Sequence, residues 1–325
     1  MKKIISLLLI AVLCLSLAAC GNGGNTKKTK NERLVVGFAQ IGQESGWRDA
    51  ETNDIQWYAA RHTDTIELHF ADAQAQQENQ IKAIRNFIDM NVDVIAFPPV
   101  VETGWEEVLT ECKEAGIPVI LVDRGIDESI DDSLYTTMIA SNHVWAGEQA
   151  AIVMEELLGG SGVVVELEGT IGASAAVQRK EGFDDYMAAN CPGIEIIASE
   201  SGDFTRDLGT QVMESFLETY DHIDGVFCHN DDMALGAIEA IKEAGLKPGE
   251  DIKIVSVDGV RGAFEAILAG ELNCTVECTP ILAKQIFDTA AAVKDGQSVE
   301  KWIMSDDEVY TADKVTQEVV EGRAY

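Results

Sequence analysis

Basic residues are scarce in this sequence. Its 325 residues hold 24 Lys and Arg against 56 Asp and Glu, a formal net charge of −32. A nucleic-acid binder needs Lys and Arg to replace the counterions along the phosphates, so this surface repels that partner. Anionic lipid headgroups offer it no attraction either. Proline is rare, six in all, and no long Ser/Pro tract occurs, which argues against a stalk. The signatures GxSxG and HExxH are missing, as is GxxxxGK followed by Ser or Thr. The histidines at 62, 69, 143, 222 and 229 lack metal-ligand spacing, and the acidic segment 127–133 lacks that of a calcium loop. Neither a metal nor a cofactor is expected. No internal repeat of about 20–50 residues is visible. What is present is ordinary for a globular chain, 46% hydrophobic and 25% charged, enough for a sizeable core in one large domain or two ordinary ones.

No CxxC spacing occurs among the seven cysteines. Cys14 and Cys20 lie in an N-terminal leader. Of the other five, Cys274 and Cys278 stand four apart on an expected strand, about 13 Å along it and too far for a disulfide. All five are expected as buried or half-buried free thiols. The leader itself, residues 1–19, has Lys2 and Lys3 before a nearly unbroken apolar stretch from Ile4 to Ala19, the pattern of a signal peptide. It is short for a bilayer crossing of about 20 residues. Leu17-Ala18-Ala19-Cys20 resembles a bacterial lipobox, which implies acylation of Cys20 and a flexible tether over residues 20–32. Removing residues 1–19 takes away two positive charges and no negative one, so the charge goes from −32 to −34. The expected location is outside the cell, at the outer face of the cytoplasmic membrane, with the membrane met only through the lipid.

After the tether, apolar runs of five to seven residues alternate with helical patterns. Leu34–Gln40, Ile66–Asp72, Val94–Pro98, Ile117–Asp123 and Tyr135–Ala140 are strands of the first half. Gly162–Leu167, Ile194–Ser199, Gly225–Cys228, Ile252–Asp258 and Leu272–Glu277 are strands of the second. Continuous Val/Ile runs mark strands buried on both faces, as in a parallel sheet covered by helices. Ten such units are more than one open sheet usually holds. They fit an α/β chain of two doubly wound lobes, or an eight-fold barrel with additions.

In either architecture ligands sit beyond the carboxyl ends of the strands. Polar and aromatic residues collect there. Gln43, Glu44, Trp47 and Arg48 follow the first run; Asp123 and Arg124 the fourth; Phe204 the seventh; Asn230 the eighth; Asp258 the ninth; and Glu277 the tenth. Arg179 lies on the helix after Gly162–Leu167. Carboxylates accept from adjacent hydroxyls, guanidinium groups donate in a fixed fork, and aromatic rings cover the C–H face of a sugar. Each alone has an ordinary use: Asp123, Asp258 and Asn230 as caps, Trp47 and Phe204 as core. Together they describe a sugar site.

The strings VGFAQIGQESGWRDAETN, ADAQAQQENQIKAIRNF, PPVVETGW, LEGTIGASAAVQRKEGF, SGDFTRDLG, HNDDMALGAIEAIKEAGLKPG and SVDG resemble the sugar-binding proteins of ABC importers, in the ribose/galactose-binding class and its galactofuranose-binding branch. The resemblance runs from about residue 33 to the C-terminus. It implies two doubly wound parallel-sheet lobes joined by a three-stranded hinge, the type I periplasmic binding protein fold. One lobe is expected over 33–140 plus 279–305, the other over 141–278 plus 306–325, with crossings at 140–142, 277–280 and 305–308. It implies ring stacking by Trp47 and Phe204, and hydroxyl contacts from Arg48, Asp123, Arg124, Arg179, Asn230 and Asp258. Glu277 is expected at the hinge, and Gln43 and Glu44 as secondary contacts. The implied partners are a monosaccharide and the membrane subunits of an ABC permease.

Three other classes share some of these features. A secreted sugar-processing enzyme would need two carboxylates across one glycosidic bond, and Asp123, Asp258 and Glu277 could supply a pair. A sugar-responsive repressor would need a helix-turn-helix where this chain has a leader. A sensor subunit presenting sugar to a receptor would share the same site.

Overall fold

The computed structural model describes residues 33–325. The expected signal peptide, Cys14, Cys20 and the tether to residue 32 lie outside the described residues.

Two six-stranded sheets organise the chain. The first has the order β2(Ile66–Asp72)-β1(Leu34–Gln40)-β3(Val94–Phe97)-β4(Val119–Val122)-β5(Thr137–Ala140)-β11(Trp302–Met304). The second has the order β7(Ile194–Ser201)-β6(Gly162–Glu168)-β8(Gly225–Cys228)-β9(Lys253–Asp258)-β10(Cys274–Glu277)-β12(Val309–Thr311). All pairings are parallel except β10 with β12. Both sheets therefore carry the doubly wound order 2-1-3-4-5. The barrel alternative is excluded, because each sheet is open at both edges.

Strand residues alternate between two apolar layers. Val36, Phe38, Ala96, Ile120 and Val122 pack on α1(Gly46–Arg61) and α9(Ala283–Lys294). Ala39, Ile95, Phe97, Val119 and Leu121 face the other way, onto α2(Gln77–Asp89) and α3(Glu106–Ala115). This period of two against a two-sided cover explains the unbroken apolar runs in the sequence. The second sheet is covered by α4(His143–Leu158), α5(Ser174–Asn190), α6(Arg206–Thr219), α7(Asp231–Glu243) and α8(Arg261–Ala269) around a single core. Helices α4 and α5 meet at two glycines. A Cβ on Gly147 would lie 2.1 Å from the Arg179 carbonyl, and one on Gly182 would lie 2.0 Å from that of Val144.

The chain passes between sheets three times: after Ala140, after Glu277, and between Met304 and Val309. Several boundaries differ from the sequence reading for local reasons. Helix α2 starts only at Gln77, because Gln74 and Ala75 are left-handed (φ 55° and 57°) and the Ala75 N–H is held by the Ile41 carbonyl. Helix α9 starts at Ala283, whose N–H donates to Asp54. Strands β11 and β12 and the six-residue α10(Gln317–Gly322) were not expected. They are too short to show a period. Among the described residues, no helix is long and apolar enough to cross a membrane. Cys112, Cys191, Cys228, Cys274 and Cys278 are all free and buried.

Candidate sugar-binding site

A small pocket lies at the carboxyl ends of both sheets. It is lined by Glu44, Ser45, Trp47, Arg48, Asp123, Arg124, Ala175, Arg179, Phe204, Asn230 and Asp258. Residues of the two lobes bury one another there, and none of Trp47, Arg48, Asp123, Arg124, Arg179, Phe204, Asn230 or Asp258 exceeds 5% exposure. The cleft is closed.

The first lobe supplies one ionic cluster. Ser45 caps α1, its hydroxyl accepting from the Arg48 N–H at 3.2 Å. This places Trp47 and Arg48 on the first turn. Arg48 donates to Glu44 at 3.1 Å, to Asp123 at 2.5 Å and to Glu51, and its guanidinium lies 4.7 Å from the Trp47 ring centre. Arg124 reaches Glu44 at 2.7 Å, and its own Nε–H, 3.8 Å from an Asp123 carboxylate oxygen, is buried without a hydrogen-bond partner. Burial pushes the Asp123 carboxyl up, but Arg48, His143 and Arg124 outweigh it and hold Asp123 below its ordinary value. Glu44 is held down in the same way by Arg124 and Arg48. His143, pushed by burial and by Arg179 down to about 4, is a neutral imidazole.

The second lobe builds its side around Phe204. The ring sits against Gly169, where a Cβ would fall 2.0 Å from it. The Phe204 carbonyl accepts from Asn230 Nδ2 at 3.0 Å, while Asn230 Oδ1 caps α7 through the Met233 N–H at 3.0 Å. So Asn230 is both a cap and a pocket wall. Arg179 donates to the His229 carbonyl and, at 3.3 Å, to Asp258. Its Nε–H is also buried without a partner. The Arg124 and Arg179 guanidinium groups, one from each lobe, approach the Phe204 ring at 5.2 and 5.9 Å. Burial, reinforced by Asp231, Asp232 and Asp123, holds Asp258 well above its ordinary value despite Arg179.

Backbone strain gathers here. Asp123 (φ 60°), Asp203 (φ 52°), Phe204 (φ 60°) and Asp258 (φ 127°) are non-glycine residues at positive φ. Such residues cost of order 1–3 kcal/mol each and cluster at functional sites. Hydrogen bonds that join the lobes around the pocket include the Gly46 N–H to Asp232 at 2.7 Å, the Gly125 N–H to Ser174 Oγ at 2.8 Å, the Glu102 N–H to the Gly172 carbonyl at 2.9 Å, and His143 Nε2 with the Asp123 carbonyl at 2.9 Å.

The structure brings together Trp47, Arg48, Asp123, Arg124, Arg179, Phe204, Asn230, Asp258 and Glu44. Two expected residues stand elsewhere. Gln43 is exposed and outside the pocket lining. Glu277 ends β10 at the second passage, as expected of a hinge residue, but its carboxylate is outside the pocket lining and turns to the C-terminal tail, accepting from Arg323 at 2.6 Å and from the Tyr325 hydroxyl at 3.5 Å. Sequence reasoning missed Ser45 and Ala175, a cap and a small helix residue with no chemical signature of their own.

Residues 36–298 match the family described as periplasmic binding protein domain. The chain belongs to the periplasmic binding protein family. It is 47% identical over 291 residues to the galactofuranose-binding protein YtfQ of Escherichia coli (strain K12), covering 88% of this chain and 90% of that protein. A solved structure of a galactofuranose binding protein superposes with a TM-score of 0.85 at 47% identity, covering 89% of this chain and 97% of that one. The binding protein of the arabinose ABC transporter from Shewanella sp. ANA-3, bound to α- and β-L-arabinofuranose, superposes at 0.83 with 44% identity, covering 90% and 99%. These relatives are sugar-binding proteins, not enzymes, the last of them a component of a transporter, and the type I two-lobe fold is common to them.

Proposed function

We propose that this chain is the substrate-binding protein of an ABC sugar importer and captures a free monosaccharide in the furanose form, galactofuranose first. Arabinose, ribose and galactopyranose are the close alternatives. The observation that carries the reading is the shared pocket: two aromatic rings, three guanidinium groups and carboxylates from two lobes converge on one closed site. Relatives that bind galactofuranose and arabinofuranose support the furanose choice.

In this reading Trp47 and Phe204 cover the C–H faces of the ring. The unpartnered Nε–H groups of Arg124 and Arg179 donate to ring or hydroxyl oxygens, and Asp123 and Asp258 accept from hydroxyls. Each charge-assisted bond is worth about 1.5–3 kcal/mol, and a micromolar complex needs about 8 kcal/mol net. The sugar touches both lobes, so it favours the closed state by differential contact. The lobes turn about the three passages at 140–142, 277–280 and 305–308. The permease reads the closed form, and lipid on Cys20 holds the protein at the outer face of the cytoplasmic membrane.

Titration calorimetry against L-arabinose, D-galactose, D-fucose, D-ribose and D-fructose tests this. Saturable binding of one of them, recovered chemically unchanged, is expected. Conversion of the bound sugar would instead establish an enzyme, and heatless titrations throughout would remove the sugar reading.

A further inference from the structure

The three passages between the sheets meet at one side chain. Ser141 follows β5, Cys278 follows β10, and Asp307 lies between β11 and β12. Cys278 Sγ donates to Ser141 Oγ at 3.1 Å. The Asp307 carboxylate accepts from the Thr279 N–H at 3.2 Å and from the Ser141 hydroxyl. From this knot two contacts lead to the pocket. The Cys278 carbonyl accepts from Trp47 Nε1–H of the first lobe, and the Cys278 sulfur lies beside the Arg179 guanidinium of the second. The Asp123 carboxylate, the His143 imidazole and the Cys278 sulfur lie within 4.8 Å of one another. His143 Nδ1 is buried there without a partner, in a side chain 2% exposed.

We infer that Cys278 is a positioning residue for sugar capture, fixing the Trp47 ring and the Arg179 guanidinium against the three-stranded hinge. This rests on the reading of the pocket as a sugar site. Cys278 does not line the pocket. It acts through the two side chains that do, one from each lobe, so the hinge angle and the pocket geometry are set together. Burial pushes its thiol well up, so it stays protonated. A neutral thiol donates to Ser141 while adding no charge beside Asp123 and Arg179.

The test compares Cys278→Val and Cys278→Ser in the full chain. Valine keeps the volume and removes the donor; serine restores it. The valine variant is expected to raise the dissociation constant about tenfold, roughly the loss of one hydrogen bond. The serine variant should stay within about threefold of the parent, with both melting within a few degrees of it. A second readout needs no sugar. The Trp47 indole N–H resonance, assigned by its loss in Trp47→Phe, should move in the valine variant, where losing the side-chain tether to Ser141 shifts the Cys278 carbonyl that accepts it, and hold its place in the serine variant. Should valine prevent folding, Cys278→Ala takes its place. Parent-like affinity together with an unmoved indole signal would overturn the inference, as would a serine variant as impaired as the valine one. If the parent binds no monosaccharide, the sugar reading fails, and the indole signal alone decides the role of Cys278.

Discussion

Replacing Arg179 by Met separates the site's binding chemistry from its contribution to the fold. The methionine keeps much of the apolar stem and removes five N–H donors. Arg179 is 3% exposed; it meets Asp258 at 3.3 Å and the His229 carbonyl, and its Nε–H faces no protein acceptor. For the sugar, one to two charge-assisted hydrogen bonds disappear, at about 1.5–3 kcal/mol each. A loss of about 3 kcal/mol raises the dissociation constant about 150-fold. For the fold, removing one partner of a buried ion pair ordinarily costs about 3–5 kcal/mol. Here the cost is smaller. Burial, with Asp231, Asp232 and Asp123 nearby, already raises the Asp258 carboxyl, so it takes up a proton instead of remaining a bare charge. What remains is a neutral buried group and one carbonyl without a donor, about 1–3 kcal/mol. Calorimetric titration and differential scanning calorimetry read the two effects apart. The variant should melt several degrees lower, fold cooperatively, and bind sugar too weakly to measure at parent-saturating concentrations. Sugar affinity within threefold of the parent would refute the reasoning, because the pocket would then not be where the sugar sits.

Three further outcomes follow from the geometry. Gly182→Ala places a methyl 2.0 Å from the Val144 carbonyl and must spread α4 from α5, so it should lower the melting temperature through overpacking of about 1–3 kcal/mol and weaken binding by displacing Arg179. Glu277→Gln should leave sugar affinity within about twofold, the size of a few tenths of a kcal/mol, while lowering stability through Arg323; a large affinity loss in calorimetry would return Glu277 to the site. Against the upward push of burial, His229, Lys180 and Ser199 hold the Glu166 carboxyl at about 2, below its ordinary 4.5. A depressed acid stabilises the fold above its unfolded value, and that stability is lost as pH falls from about 4.5 toward 2. Melting temperatures across this range should fall less steeply in Glu166→Gln than in the parent, and parallel curves would contradict the assignment.

The two-lobe fold was legible because doubly covered parallel strands write themselves as unbroken Val/Ile runs. Val94–Phe97 and Val119–Val122 are buried at every position. The pocket was legible because its polar groups sit at strand ends: Asp123 follows β4 and Asp258 ends β9. The hinge position of Glu277 was legible because it ends an apolar run at the second passage. Its pairing with Arg323, 46 positions away, was not. Gln43 sits in the loop before α1, where no period fixes direction. The knot of Ser141, Cys278 and Asp307 joins residues 166 positions apart from first to last and was invisible to any local pattern.

The central claim is that this cleft closes on one monosaccharide. A thermal-shift series with single sugars measures it most directly. A ligand at about 100 times its dissociation constant adds about 2.7 kcal/mol of stability, which raises the melting temperature by several degrees. The account predicts such a rise with one furanose-forming monosaccharide, recovered intact, and its loss in Arg179→Met. An unchanged melting temperature across the whole series would contradict it.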